Sequence, residues 1–127
     1  LADLFDKTTR ALGASVKLRQ TRNNVISSNI ANAETPGFQA KKMDFEDALA
    51  RALDNDGTTD VTQNAIGRVG AEIYENPDAA MNNDGNTVDM DKEMSSLAEN
   101  SIMYKAAIQL INKKMAALKY AATDGGR

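Results

Sequence analysis

The sequence contains no cysteine and no histidine. Without cysteine there is no disulfide framework, no thiolate nucleophile and no sulfur-ligated metal site, and the redox compartment is left open. Without histidine the commonest general base and the commonest transition-metal ligand are missing as well, so any catalysis would have to rest on carboxylates. Tryptophan is also absent and aromatic residues make up only 5% of the 127 residues, which argues against the compact core of an enzyme. Proline is confined to Pro36 and Pro77, so long stretches are free to be helical.

Charge excludes further classes. The 15 Lys and Arg against 18 Asp and Glu leave a net −3, and the basic residues are scattered. Neither the field that nucleic acid requires nor a polybasic segment for an anionic membrane is present. No apolar run approaches the ~20 residues that span a bilayer, which excludes direct membrane insertion by a helix. The first residues lack a basic segment followed by an apolar one, so export is expected to proceed without a cleaved signal peptide. No cofactor is implied.

What is present is helical periodicity at both ends. From about Asp3 to Ala33 the positions Phe5, Thr9, Leu12, Val16, Arg19, Asn23, Ile26, Ile30 and Ala33 step by four and three, an imperfect heptad seam. Ala11, Ser15, Leu18, Arg22 and Val25 widen that face, while Asp3, Asp6, Arg10, Lys17 and Asn24 lie opposite. Such a helix would be about 45 Å long. The C-terminal third is more regular: Met90, Met94, Leu97, Ser101, Tyr104, Ile108, Ile111, Met115 and Leu118 form the expected assembly seam. Asp89, Asp91 and Glu93 suit its N-terminal dipole end, Lys113, Lys114 and Lys119 its C-terminal end, and Gly125-Gly126 stops it.

A second apolar line, Met103, Leu110, Ala117 and Ala121, lies well away from the first on the same helix. Ala98, Ala106, Ala107 and Ala116 fill the remainder and permit close helix approach. One antiparallel hairpin buries one stripe; the other implies further subunits. Because the hairpin alone leaves apolar surface open, the isolated chain is expected to hold its ends loosely.

The middle is weaker in pattern. Pro36 pushes Thr35 out of the α region and Gly37 supports a turn, so the first helix must stop there. Asp44 followed by Phe45, Ala48, Leu49, Ala52 and Leu53 predicts a short capped helix, closed before Asn55-Asp56-Gly57. Val61 to Tyr74 predicts one or two short strands around Ile66, Val69 and Ile73, and Asn76-Pro77-Asp78 and Asn82 to Asn86 are turn chemistry. The expected fold is mainly α, with long N- and C-terminal helices paired as an antiparallel coiled coil and a small irregular middle region. Residues 1–33 and 87–127 are expected to pack as one discontinuous domain, with 34–86 between them.

Three patterns invite a chemical reading and are better explained structurally. Aligning Gly85 with the glycine of a calcium loop puts Ala80 at the first ligand position and Asp91 at the twelfth, with no helix preceding, so a turn leading into a helix is the reading favoured. Asp44, Glu46 and Asp47 resemble the paired acids of a glycosidase, yet they open a short helix and are accounted for as its cap. Gly67-x-x-Gly70 lacks the strand, third glycine and lysine of a phosphate loop. No catalytic, cofactor or metal residue is therefore assigned.

Two further features stay open in the sequence. Arg19 and Arg22 fall inside the apolar face, where they either reach solvent along their stems or pair with a carboxylate such as Glu93 or Glu99. Asn29 and Asn32 are either exposed helix-end residues or buried amides that fix the register of a packed assembly.

The stretch Ser28-Asn29-Ile30-Ala31-Asn32-Ala33, then Thr35-Pro36-Gly37-Phe38, resembles the N-terminal signature of bacterial flagellar axial proteins, the rod and hook group. Asp44-Phe45, the run Asn86 to Met94, Leu97 to Asn100 and Tyr104 resemble more narrowly the short proximal rod subunits of that family. The resemblance covers both terminal helices and their junctions; Ala52 to Ala80 matches nothing known to us. It implies export through the flagellar type III apparatus and assembly into the hollow, periplasm-spanning rod. The implied partners are copies of the chain, other rod proteins, and rod-base, MS-ring or export-gate components. A soluble coiled-coil adaptor or secretion chaperone is the alternative from another class, although it would not need Thr-Pro-Gly-Phe at a helix end.

Overall fold

The computed structural model describes residues 2–54 and 73–124. Two long helices dominate it: α1, Ala2–Ala31, and the C-terminal helix α3, Met90–Asp124. Between them lie strand β1, Lys41–Met43, helix α2, Phe45–Asp54, and strand β2, Ile73–Glu75. The expected strands around Ile66 and Val69, the Gly67-x-x-Gly70 turn and the Gly125-Gly126 stop lie outside the described residues.

Each element has a local cause. Asp44 sits immediately before α2, its carbonyl accepting the Ala48 amide at 3.1 Å, and Phe45, Ala48 and Leu49 line the face that turns inward. Asp89 caps α3 twice, through its carbonyl to the Glu93 amide at 2.9 Å and its carboxylate to the Lys92 amide at 3.3 Å. Alpha-helical winding in α1 gives way after Ala31 to tight turns, with the Ala33 amide donating to Ile30 and the Thr35 amide to Asn32.

β1 and β2 pair antiparallel, Lys41 opposite Glu75, Lys42 opposite Tyr74 and Met43 opposite Ile73. Met43 is buried opposite half-buried Ile73 while Lys41 and Lys42 are exposed, so the sheet packs inward only at its Met43–Ile73 end. The core is small: Leu18 of α1, Met43 of β1, and Phe45 and Ala48 of α2, with Leu49 and Ile73 packed against them. It fastens the middle region to the flank of α1.

α1 and α3 run antiparallel, because Asn100 reaches Arg19 while Glu93, about two helical turns toward the start of α3, meets Asn29. The residues of α3 that are buried or half-buried along this contact step through Glu93, Leu97, Asn100, Tyr104, Ala107 and Ile111. Leu97, Tyr104 and Ile111 belong to the seam expected from periodicity. The alternate positions are displaced by one residue, with Glu93, Asn100 and Ala107 inward in place of Met94, Ser101 and Ile108. The displacement has a steric reason. Asn100 bonds the α1 main chain, which requires the helices to come close, and Ala107 permits it where Ile108 would hold them apart. Ser101 and Ile108 are left half-buried on the flank, and Met90, Met94, Met115 and Leu118 are exposed.

Candidate functional site

Among the described residues the largest fully buried side chains are three asparagines, Asn29, Asn86 and Asn100, at 1%, 0% and 1% exposure. A buried amide costs several kilocalories in desolvation unless its donor and acceptor are both used. Each of these amides bonds main chain that belongs to another segment, and together they tie α1, β1, the turn before α3, and α3 into one junction.

Asn29, on the last turns of α1, faces β1 like a neighbouring strand. Its Nδ2 donates to the Lys41 carbonyl at 2.8 Å and its Oδ1 accepts the Lys41 amide at 3.0 Å. Asn32, one turn further, is half-exposed and serves its own helix end: Nδ2 donates to the Ser28 carbonyl at 2.8 Å, and Oδ1 accepts from the Thr35 hydroxyl at 3.1 Å. The two alternatives that the sequence left open are thus divided between the two residues, Asn29 buried and Asn32 at the helix end.

Asn86 closes the junction from the other side. Its Nδ2 donates to the carbonyls of Asn32 at 2.8 Å and Thr35 at 2.7 Å, and its Oδ1 accepts the Val88 amide at 2.8 Å. The neighbouring Thr87 adds two links: its hydroxyl accepts the Ala40 amide at 2.8 Å and its amide donates to the Phe38 carbonyl at 3.0 Å. Gly37, at φ 72°, donates its amide to the Asp84 carbonyl at 2.9 Å, and Gly85 follows at φ 81°. Both glycines adopt a left-handed backbone that side chains rarely tolerate, and a Cβ on Gly85 would stand 3.4 Å from Gly37 Cα. The run Asn82 to Asp91 is therefore a turn leading into a helix, with the Asn86 side chain committed to the end of α1.

The arginines sit beside this junction. The Arg19 guanidinium lies over the Phe45 ring, 3.6 Å from its centroid, and joins α1 to α2. Burial lowers its pKa, Arg22 adds to the lowering, and the carboxylates of Glu99 and Glu46 oppose it. Glu93 is shifted upward by burial and by Asp89, while the Asn29 amide and Arg22 work against the shift. The carboxylates named from sequence as partners of these arginines are those around them, Glu99 at Arg19 and Glu93 at Arg22. Tyr74 donates its hydroxyl to Asp44 Oδ2 at 3.1 Å; burial first, then this bond, raises its pKa. The Asp44 carboxylate thereby tethers β2, while its carbonyl accepts the first bond of α2.

Of the motif residues read from sequence, Asn29, Asn32, Thr35 and Gly37 enter the junction's hydrogen bonds, and Ser28 and Phe38 contribute carbonyls. Ile30 and Ala33 are half-buried, and Ala31 and Pro36 are exposed. Asn86, Thr87 and Asn100 carry comparable weight and were not assigned a role from sequence. The first two belong to the Asn86 to Met94 run that marks the resemblance, but a turn asparagine before a helix has an adequate local explanation. On α3, Ile102, Met103 and Leu110 stand 66%, 47% and 51% exposed, away from α1, as an open apolar strip. Among the described residues no helix is long and apolar enough to cross a membrane, and no group of acidic side chains is placed to hold a metal ion.

A family model described as flagella basal body rod protein matches residues 16–39, the span from mid-α1 through the Thr-Pro-Gly turn. The chain is 41% identical over 106 residues to the flagellar basal body rod protein FlgB of Cereibacter sphaeroides, an alignment covering 80% of this chain and 82% of that protein. It is 36% identical over 124 residues to FlgB of Aeromonas hydrophila, covering 93% and 94%. It is 32% identical over 124 residues to FlgB of Escherichia coli K12, covering 88% and 90%.

Proposed function

Because the chain belongs to the flagellar basal body rod protein family, alongside the FlgB proteins, we propose that it is a structural subunit of the proximal rod that polymerises through α1 and α3. The subunit takes its place in the hollow shaft by helix packing, and its junction sets the angle at which the middle region leaves the helix pair. Its partners on this reading are copies of itself and other rod proteins, with rod-base and MS-ring or export-gate components at the inner end. It reaches the periplasm through the flagellar export apparatus with its signal uncleaved. It carries no catalytic role and no cofactor. Residues 1–33 and 87–127 act as one discontinuous assembly domain, and the middle region, 34–86, faces outward.

The observation that carries this reading is the apolar surface of Ile102, Met103 and Leu110, left open on α3 where α1 does not cover it. An open apolar strip of this kind fits a protein whose partners are other helices. The second line predicted from sequence contains two of its members, Met103 and Leu110. The adaptor or chaperone alternative is not favoured, since the matched relatives are rod proteins over most of their length. Leu110→Asp tests the proposal: far-UV circular dichroism of the single chain should be unchanged, while rods and motility are lost. Cells that swim normally with this change would overturn it.

A further inference from the structure

Asn100 differs from the other two buried asparagines. Its Nδ2 donates to the Arg19 carbonyl at 2.8 Å across the α1–α3 contact, but its Oδ1, equally buried, has no hydrogen-bond partner among the described residues. Asn29 and Asn86 use both ends of their amides. Turning the amide over does not repair the fault, because Oδ1 would then face the Arg19 carbonyl, acceptor against acceptor. The guanidinium of Arg19 itself lies over the Phe45 ring.

We infer that Asn100 is a positioning residue that selects the register of α1 against α3 while weakening the pairing itself. Sliding the helices by a turn would carry the donor away from the Arg19 carbonyl and bury the whole amide without a bond, so this one register is favoured over its neighbours. The apolar members of the contact do not discriminate as sharply. Leu97, Tyr104 and Ile111 recur at heptad spacing, and a shift of one heptad replaces one largely apolar contact with another. In the retained register the unpartnered Oδ1 still opposes burial, so the pair opens more readily than an apolar seam of the same length would. The inference concerns the single chain and does not depend on what the chain assembles with.

The test uses the full chain with Asn100→Leu, which keeps the branched shape, and Asn100→Ala, which adds no volume. Because the chain has no cysteine, a cysteine pair introduced at the exposed positions Lys17 and Ile102 carries spin labels that report the α1–α3 register. Expected is slower amide hydrogen exchange around residues 97–107 in at least one variant, by about threefold or more, together with a broadened or shifted label distance in both. Faster exchange in both variants would show that the amide stabilises the pair, and an unchanged, narrow distance would show that the apolar contacts alone set the register. Either result overturns the inference.

Discussion

At the scale of single residues, this protein invests its deepest burial in amides where a globular enzyme would place leucine or phenylalanine. The physical consequence is directionality: an apolar contact tolerates small rotations, whereas Asn86 holds two carbonyls and one amide in a fixed fan. Asn86→Ala should therefore cost about 1 to 3 kcal/mol in a urea titration, since it leaves the Val88 amide without its partner and takes one of two donors from each of the Asn32 and Thr35 carbonyls. Asn86→Asp is the sharper variant. It is nearly the same shape, but it turns a carboxylate oxygen toward the carbonyls of Asn32 and Thr35, so it should be at least as damaging as alanine. An aspartate variant as stable as the parent would mean that the side chain does not clasp those carbonyls. Little of this was legible beforehand, because a sequence shows that Asn29, Asn32 and Asn86 flank turns but not that three of their neighbours' main-chain groups converge on one amide.

At the scale of elements, periodicity identified both long helices and the short capped helix, and their boundaries agree with the stop signals at Pro36-Gly37 and the start signal at Asp89. The contact of α3 with α1 shares Leu97, Tyr104 and Ile111 with the heptad frame read from sequence. Methionine and isoleucine marked an apolar seam through Met94 and Ile108, whereas the contact line passes through Glu93 and Ala107, where polarity and small size allow closer approach. β1 was not foreseen, because three residues, two of them exposed lysines, are too short to show a period of two; its pairing comes from the Asn29 clasp and from β2.

Glu93 offers a pH test of the α1–α3 contact. Burial raises its pKa above the ordinary 4.5, so the folded chain binds this proton more tightly than the unfolded one. The stabilisation from this group is complete below 4.5 and is lost as pH rises through the raised folded value. Relative to Glu93→Gln, the parent should therefore gain stability as pH falls from neutral toward 4.5, as read from urea midpoints of both proteins at matched pH. A difference that moves in the variant's favour on acidification would contradict the upward shift and its cause.

For the whole molecule, stability is expected to be graded from the junction outward. The main-chain groups around residues 37–41 and 86–88 are bound by side chains and by one another, Ala40 to Thr87 across a separation of 47 residues, while α3 beyond Lys114 has every side chain exposed through Thr123. Local opening is governed by how much contact a segment would lose, so the end of α3 should open at almost no cost and the junction only with global unfolding. Hydrogen exchange on the dilute single chain should then find the amides of Gly37, Lys41, Thr87 and Val88 slowest and those of residues 115–124 fastest. Assembly changes the second group alone. If Met115, Leu118 and Tyr120, all exposed in the single chain, are covered by neighbouring helices in the rod, residues 115–124 should become protected by orders of magnitude in assembled material, with the junction's rates little altered. The two observations separate two claims. Rapid exchange at the junction of the single chain would refute the staple of buried amides. Residues 115–124 that exchange as fast in assembled rods as in the single chain would refute the assignment of that end of α3 to subunit packing, and would confine the assembly surface to the strip around Leu110.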